Sequence, residues 1–196
     1  MSPHRTKRPT PNEMEAVQTY RWTREAFERL GETGVLPPDA RVELVDGSLV
    51  EMSPRGSQYA TALRKAEEAL RDAFRDGFDV RTQLPLALSE TDEPEPDVAA
   101  VPGTIDDYRD AHPSEAVLVV EVADTSLEFD RREKLRAYAR GGVPEYWILN
   151  LRYRCLEVYR TSAGEDYRTK QTFDAADTVQ PSAQPDHPIA VHDLLP

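Results

Sequence analysis

The stretch AVLVVEV at residues 116–122 is a nearly continuous apolar run, the pattern of a strand buried on both faces. Downstream, the periodicity predicts a helix from about Phe129 to Arg140, ended by Gly141-Gly142, and then a further strand in PEYWIL. Strand, helix and strand in that order predict a right-handed crossover between parallel strands. CLEVYR follows and pairs back as a hairpin across Leu151 to Arg154. Beyond Thr161 a short strand is expected near Tyr167 to Phe173, before the apolar terminus IAVHDLLP.

Upstream of the run, VAAV makes a short strand starting at Asp97, and FDVRTQLPLAL reads as a strand in which Pro85 marks an edge or a bulge. A short helix is expected around Ile105 to Asp110. Residues 57–76 carry Ala60, Leu63, Ala66, Leu70, Ala73 and Phe74 at spacings of three and four, an amphipathic helix stopped by Gly77. RVELVDGSLVEM has two alternating apolar runs around Asp46-Gly47, a strong hairpin signal, with Glu43 on its first strand. Thr23 is a plausible N-cap for a helix to about Leu30. Residues 1–18 have no periodicity and read as a flexible arm, leaving 19–196 as one domain. The sum is an α/β protein, a mixed sheet flanked by helices.

Composition narrows the function. No apolar stretch approaches the roughly 18 residues of a membrane span, and no hydrophobic segment follows the basic start MSPHRTKRPT, so a cytosolic product is expected. Cys155 is the one cysteine, which excludes an internal disulfide and, with four histidines, a structural zinc site of the usual kind. The net charge of −12 argues against coating nucleic acid by bulk positive charge. Residues 131–160 nevertheless hold eight basic side chains against three acidic ones, net +5, leaving −17 elsewhere. That segment is the expected phosphate-facing surface. Glycine-rich phosphate loops, dinucleotide fingerprints, Gly-x-Ser-x-Gly elbows and paired-histidine zinc motifs are absent.

Glu121 most needs an explanation, because a carboxylate directly after Val117-Leu118-Val119-Val120 is carried toward the interior, where an unpaired charge is expensive. A metal ion, a salt bridge or exposure at the strand end would each account for it. Asp97 also stands at the start of a strand, and a neighbouring strand would bring it beside Glu121. Two such carboxylates repel unless a cation lies between them, and hard oxygen ligands favour magnesium or manganese. Lys134 sits early in the following helix with Tyr138 one turn on, placed to orient or deprotonate an attacking water or to hold a phosphate as a point charge. Each residue also has an ordinary reading: EPEPD as a solvated acidic loop, Lys134 as an exposed helix lysine. The constellation, rather than any single member, points to chemistry.

The order RVELVDGSLVEMSP, Gln83, PEPDVAAV, VLVVEVADTS, FDRREKLRAYARGGVPEYWIL and LEVYR resembles the Uma-two family of bacterial restriction-endonuclease-like proteins, within the PD-(D/E)XK nuclease superfamily, over about Tyr20 to Arg160. The resemblance implies a restriction-endonuclease-like core with a divalent-metal site. Pro96-Asp97 matches the motif's PD and Glu121 its acidic residue. Ala123 stands where the superfamily's usual lysine would be, and Lys134 matches the family's replacement on the next helix. Glu43 matches a family glutamate near the metal, and Gln83 a glutamine on the strand before the PD motif, available to phosphate or water. Tyr59 stands near where the family often has histidine. The implied ligands of magnesium or manganese are Asp97, Glu121 and the Val122 carbonyl, with Glu43 at a second metal or its hydration shell. The leading expectation is a metal-dependent nuclease acting on DNA, with a homodimer giving one site per strand. The alternatives are a non-catalytic nucleic-acid-binding or assembly protein that keeps the scaffold, and a phosphoesterase of small substrates.

Overall fold

A computed structural model describes residues 19–37, 39–52 and 56–196; the predicted arm at 1–18 lies outside the described residues. Helix α1 (Arg24–Glu32) opens on Thr23, whose hydroxyl accepts from the Ala26 N–H. Strands β1 (Val42–Val45) and β2 (Ser48–Glu51) pair antiparallel. Asp46 and Gly47 have φ of 50° and 71°, the left-handed pair that a two-residue turn matching the strand twist requires. Helix α2 (Ser57–Ala73) follows.

The main sheet has six strands: β3 (Phe78–Thr82), β4 (Val98–Pro102), β5 (Leu118–Ala123), β6 (Glu145–Asn150), β7 (Cys155–Ala163) and β8 (Asp166–Asp174). They lie side by side in chain order. Only β5 and β6 run parallel, joined by the predicted crossover helix α3. The expected short helix before β5 is a 3₁₀ turn at Ile105–Tyr108. At the C-terminus β9 (Thr178–Val179) pairs with β10 (Ile189–Ala190), and α4 (Val191–Leu194) packs beside α2. None of the described helices is long and apolar enough to cross a membrane.

Every residue of β5 and of β6 is buried, as the apolar run predicts for strands covered on both faces. Alternation along β5 divides two cores. Leu118, Val120 and Val122 pack with Leu70, Trp147, Leu149 and Leu194 on the α2 side. Val119 and Ala123 pack with Tyr138, Tyr146 and Ile148 on the α3 side. Glu121 is in phase with the second set, so its carboxylate is delivered toward α3.

Two expectations change. The strand predicted over FDVRTQLPLAL stops at Thr82. Gln83 has φ of 53°, which ends the extended backbone, and residues 84–97 form no regular strand before β4. The crossover helix is longer and less regular than predicted: α3 comprises Leu127–Phe129, a π-helical turn at Asp130–Lys134, and Leu135–Arg140. The Leu135 N–H reaches back five residues to the Asp130 carbonyl, which also accepts from the buried Tyr146 hydroxyl at 3.1 Å. Such turns introduce an extra residue into a helix and recur at functional sites.

Candidate active site

The β4–β5 ladder ends with Val98 opposite Val120. Continuing the register by one residue brings Asp97 across from Glu121, beyond the last ladder pair, so the two acids leave neighbouring strands at the same level. Asp97 Oδ2 accepts from the Val122 N–H at 2.8 Å, filling the place of the missing ladder bond. In a strand a residue's N–H and C=O point to the same side, so the Val122 carbonyl shares that open edge. Asp97 Oδ1 accepts from the Tyr59 hydroxyl, and more weakly from Gln83 Nε2 at 3.4 Å. Gln83 also donates to the Tyr59 oxygen at 3.0 Å.

Lys134 Nζ lies 2.8 Å from both Glu121 Oε1 and Glu43 Oε2, and none of the three side chains is more than 5% exposed. The π turn therefore inserts the ammonium between a strand of the main sheet and the β1–β2 hairpin. Tyr138 donates its hydroxyl to Glu121 Oε1 at 2.5 Å. Glu43 Oε2 also accepts the Glu95 N–H at 3.0 Å, tying the hairpin to the segment that leads into β4. Asp130 is buried on the same turn and accepts from the Ser126 hydroxyl at 2.6 Å.

These side chains open into a cleft of about 340 Å³ between the hairpin, the start of α2 and α3. Among the described residues, four buried carboxylates, Glu43, Asp97, Glu121 and Asp130, share it with the single buried ammonium of Lys134. The imbalance shows in the protonation of Glu121 and Asp130. Burial pushes Glu121 well above the usual carboxylate range, against the pull of Lys134 and reinforced by Asp97, Asp130 and Glu43. Burial likewise raises Asp130 to about 6, although Lys134 and Ser126 work the other way. Burial disfavours the charged form of Lys134, but Glu121, Glu43 and Asp130 outweigh it and hold the amine well above its usual range. The lysine is thus a permanent cation, and the carboxylates carry the surplus.

A divalent cation fits this chemistry. All the available ligand atoms are hard oxygens, and further positive charge would offset both the burial and the repulsion that raise Glu121. Among the described residues no three acidic, histidine or cysteine side chains converge on one point.

The residues singled out in the sequence fall into distinct places. Asp97, Glu121, Val122, Lys134 and Glu43 all line the cleft. Glu43 faces Lys134, and Gln83 stands behind Asp97 outside the cleft lining. Tyr59 and Asp130 line the cleft without having been singled out as contributors. Asp130 had a readable signal, since it lies four residues before Lys134 on one helical face. Tyr59 is joined to Asp97 only by tertiary folding.

The basic segment 131–160 is only in part the free surface expected from its charge, since Arg132, Arg136, Arg152 and Arg154 are exposed and the other four cations are not free. Arg131 contacts buried Glu157 at 2.5 Å, Arg140 contacts buried Asp92 at 3.0 Å and Arg160 contacts buried Glu145 at 2.8 Å. With Lys134 held by two glutamates, half of the segment's eight cations compensate interior acids.

A six-stranded mixed sheet flanked by helices is the architecture of a restriction-endonuclease-like core. The family model for Uma2, described as "Putative restriction endonuclease", matches residues 24–190, and the chain belongs to that family. The solved structure of a putative nuclease of the DUF820 family from Anabaena variabilis is similar in fold. Its TM-score is 0.69 at 12% identity, over 88% of this chain and 96% of that one. No curated protein matches the chain.

Proposed function

We propose that this protein is a magnesium- or manganese-dependent nuclease that hydrolyses phosphodiester bonds of DNA. The observation that carries the reading is the convergence of Asp97 and Glu121, from neighbouring strands, on a cleft whose one buried cation among the described residues is Lys134. Asp97, Glu121 and the Val122 carbonyl would hold the ion. When bound, it polarises the phosphate and supplies a water of lowered pKa.

The protein's own groups set the geometry. Lys134 stays protonated, so its role is to orient the attacking water and to place positive charge on a phosphate oxygen. Glu43 and Glu121 fix the position of that ammonium. Tyr59 and Gln83 fix the Asp97 carboxylate from the side opposite the Val122 N–H. Outer partners of this kind orient metal ligands. The proposal includes a cytosolic homodimer, in which two copies bring one site to each strand.

The test is cleavage of supercoiled plasmid and of single-stranded DNA with magnesium or manganese, comparing wild type with Asp97→Asn, Glu121→Gln and Lys134→Ala. Metal-dependent cutting by wild type that is lost in all three variants is the expected result. Equal cutting by all four proteins, or cutting indifferent to metal, refutes it. Manganese calorimetry separates a non-catalytic scaffold, for which binding is absent or unchanged by Asp97→Asn.

A further inference from the structure

The cleft is lined by seven acidic side chains and, among the described residues, by two cations. One is Lys134, already engaged. The other is Arg41, half-buried beside β1. Its guanidinium makes no ion pair among the described residues. Its side chain donates from Nη2 to the Met52 thioether at 3.2 Å, and a thioether is a weak acceptor. An arginine with five donors in an acid-rich cleft, yet bonded to sulfur, retains most of its donor capacity for a ligand.

Its position is set by the hairpin. The Met52 N–H donates to the Arg41 carbonyl at 2.9 Å, adding a rung beyond the last β1–β2 pair. Arg41 and Glu43 are two residues apart and so share a strand face, about 7 Å from each other along the chain. Val50, the cross-strand partner of Glu43, and Met52 share that side and also line the cleft. Glu43 marks where Lys134 enters. Arg41 is therefore displaced from the reacting centre by a distance comparable to that between successive phosphates on a strand.

We propose that Arg41 is a substrate-binding residue, holding by its guanidinium the phosphate adjacent to the one being cleaved, with Val50 and Met52 as the apolar wall beside the sugar and base. The assignment rests on reading the cleft as a nuclease site. It makes the β1–β2 hairpin, rather than the basic segment 131–160, the element that grips the backbone.

The experiment measures binding of a short thymidine oligonucleotide by the full chain in calcium, as a function of salt, for wild type, R41A and R41K. R41A is expected to bind about tenfold more weakly or worse, the loss of a charge-assisted contact. Its slope of log affinity against log salt should be smaller by about 0.7, one phosphate contact on a single strand. R41K should keep the slope and lose part of the affinity, because an ammonium keeps the charge without the planar fork. Replacing one phosphate with a neutral methylphosphonate should weaken wild type and have no further effect on R41A. An unchanged affinity in R41A, or a loss of affinity at unchanged slope, overturns the assignment. If the metal-dependent cutting described above is present in that case, only Arg41's role falls. If wild type neither binds nor cuts, the nuclease reading falls and this inference with it.

Discussion

Lys134→Met removes the ammonium from between Glu43 and Glu121 while keeping a side chain of similar length. Both contacts are 2.8 Å and all three groups are almost wholly buried. Breaking a buried pair by deleting one partner costs roughly 3–5 kcal/mol, because the other charge is left uncompensated. In a chain of this size 1 kcal/mol corresponds to about 2–4 °C in Tm, so a fall of roughly 6–20 °C is expected near pH 8. The pH dependence is the diagnostic part. Lys134 is raised above its ordinary value, so its contribution in wild type is complete below that range and constant between pH 5 and 8. Glu121 is already raised, and losing Lys134 raises it further. A carboxylate whose folded pKa exceeds its unfolded value destabilises increasingly as pH rises through that interval. The Tm difference between wild type and variant should therefore be largest at pH 8 and shrink toward pH 5. Calorimetric scans at pH 5, 6, 7 and 8 measure it. A difference below 2 °C, or one that does not change with pH, refutes the reading of an acid surplus held by a single cation.

Glu157 behaves in the opposite sense. Burial works against its charge, but bonds from Arg131, Lys170, Asn150 and Tyr159 outweigh it and lower the carboxyl to about 2. The resulting stability is present above the unfolded value near 4.5 and lost as pH falls toward 2, about 3 kcal/mol in all. In urea titrations Glu157→Gln should therefore be less stable than wild type at pH 7, and the gap should narrow between pH 4.5 and 2.5. Tyr59→Phe removes the hydroxyl from Asp97 and should weaken manganese binding about tenfold, read by calorimetry. An affinity equal to wild type would show that Tyr59 does not orient the carboxylate.

The parts of the fold legible in the sequence are those written in local pattern. Asp46-Gly47 announces the hairpin because few residue pairs accept two successive positive φ angles. AVLVVEV announces the central strand because both its faces are covered, and Gly141-Gly142 closes the crossover helix that follows. The end of β3 was hidden, since Gln83 takes a positive φ that its residue type does not advertise. The π turn was hidden for a related reason: its Asp130 carbonyl also accepts from Tyr146, a residue on another element. In the site, Glu121 was visible as a charge inside an apolar run, but Tyr59 became a partner of Asp97 only when α2 packed on the sheet. Counting charge over 131–160 misled because the acids that neutralise Arg131, Arg140 and Arg160 are distant in sequence or alternate onto buried strand positions.

The π turn in α3 also makes the chain's length at that point a functional quantity. A π turn absorbs one extra residue, so removing one residue between Asp130 and Lys134 would let the helix relax to ordinary winding with the turns on either side still in phase. A second residue inserted ahead of Lys134, with no turn to absorb it, would rotate all that follows by about 100° and carry the ammonium away from Glu43 and Glu121. At this point a single-codon insertion is therefore a graver lesion than a single-codon deletion.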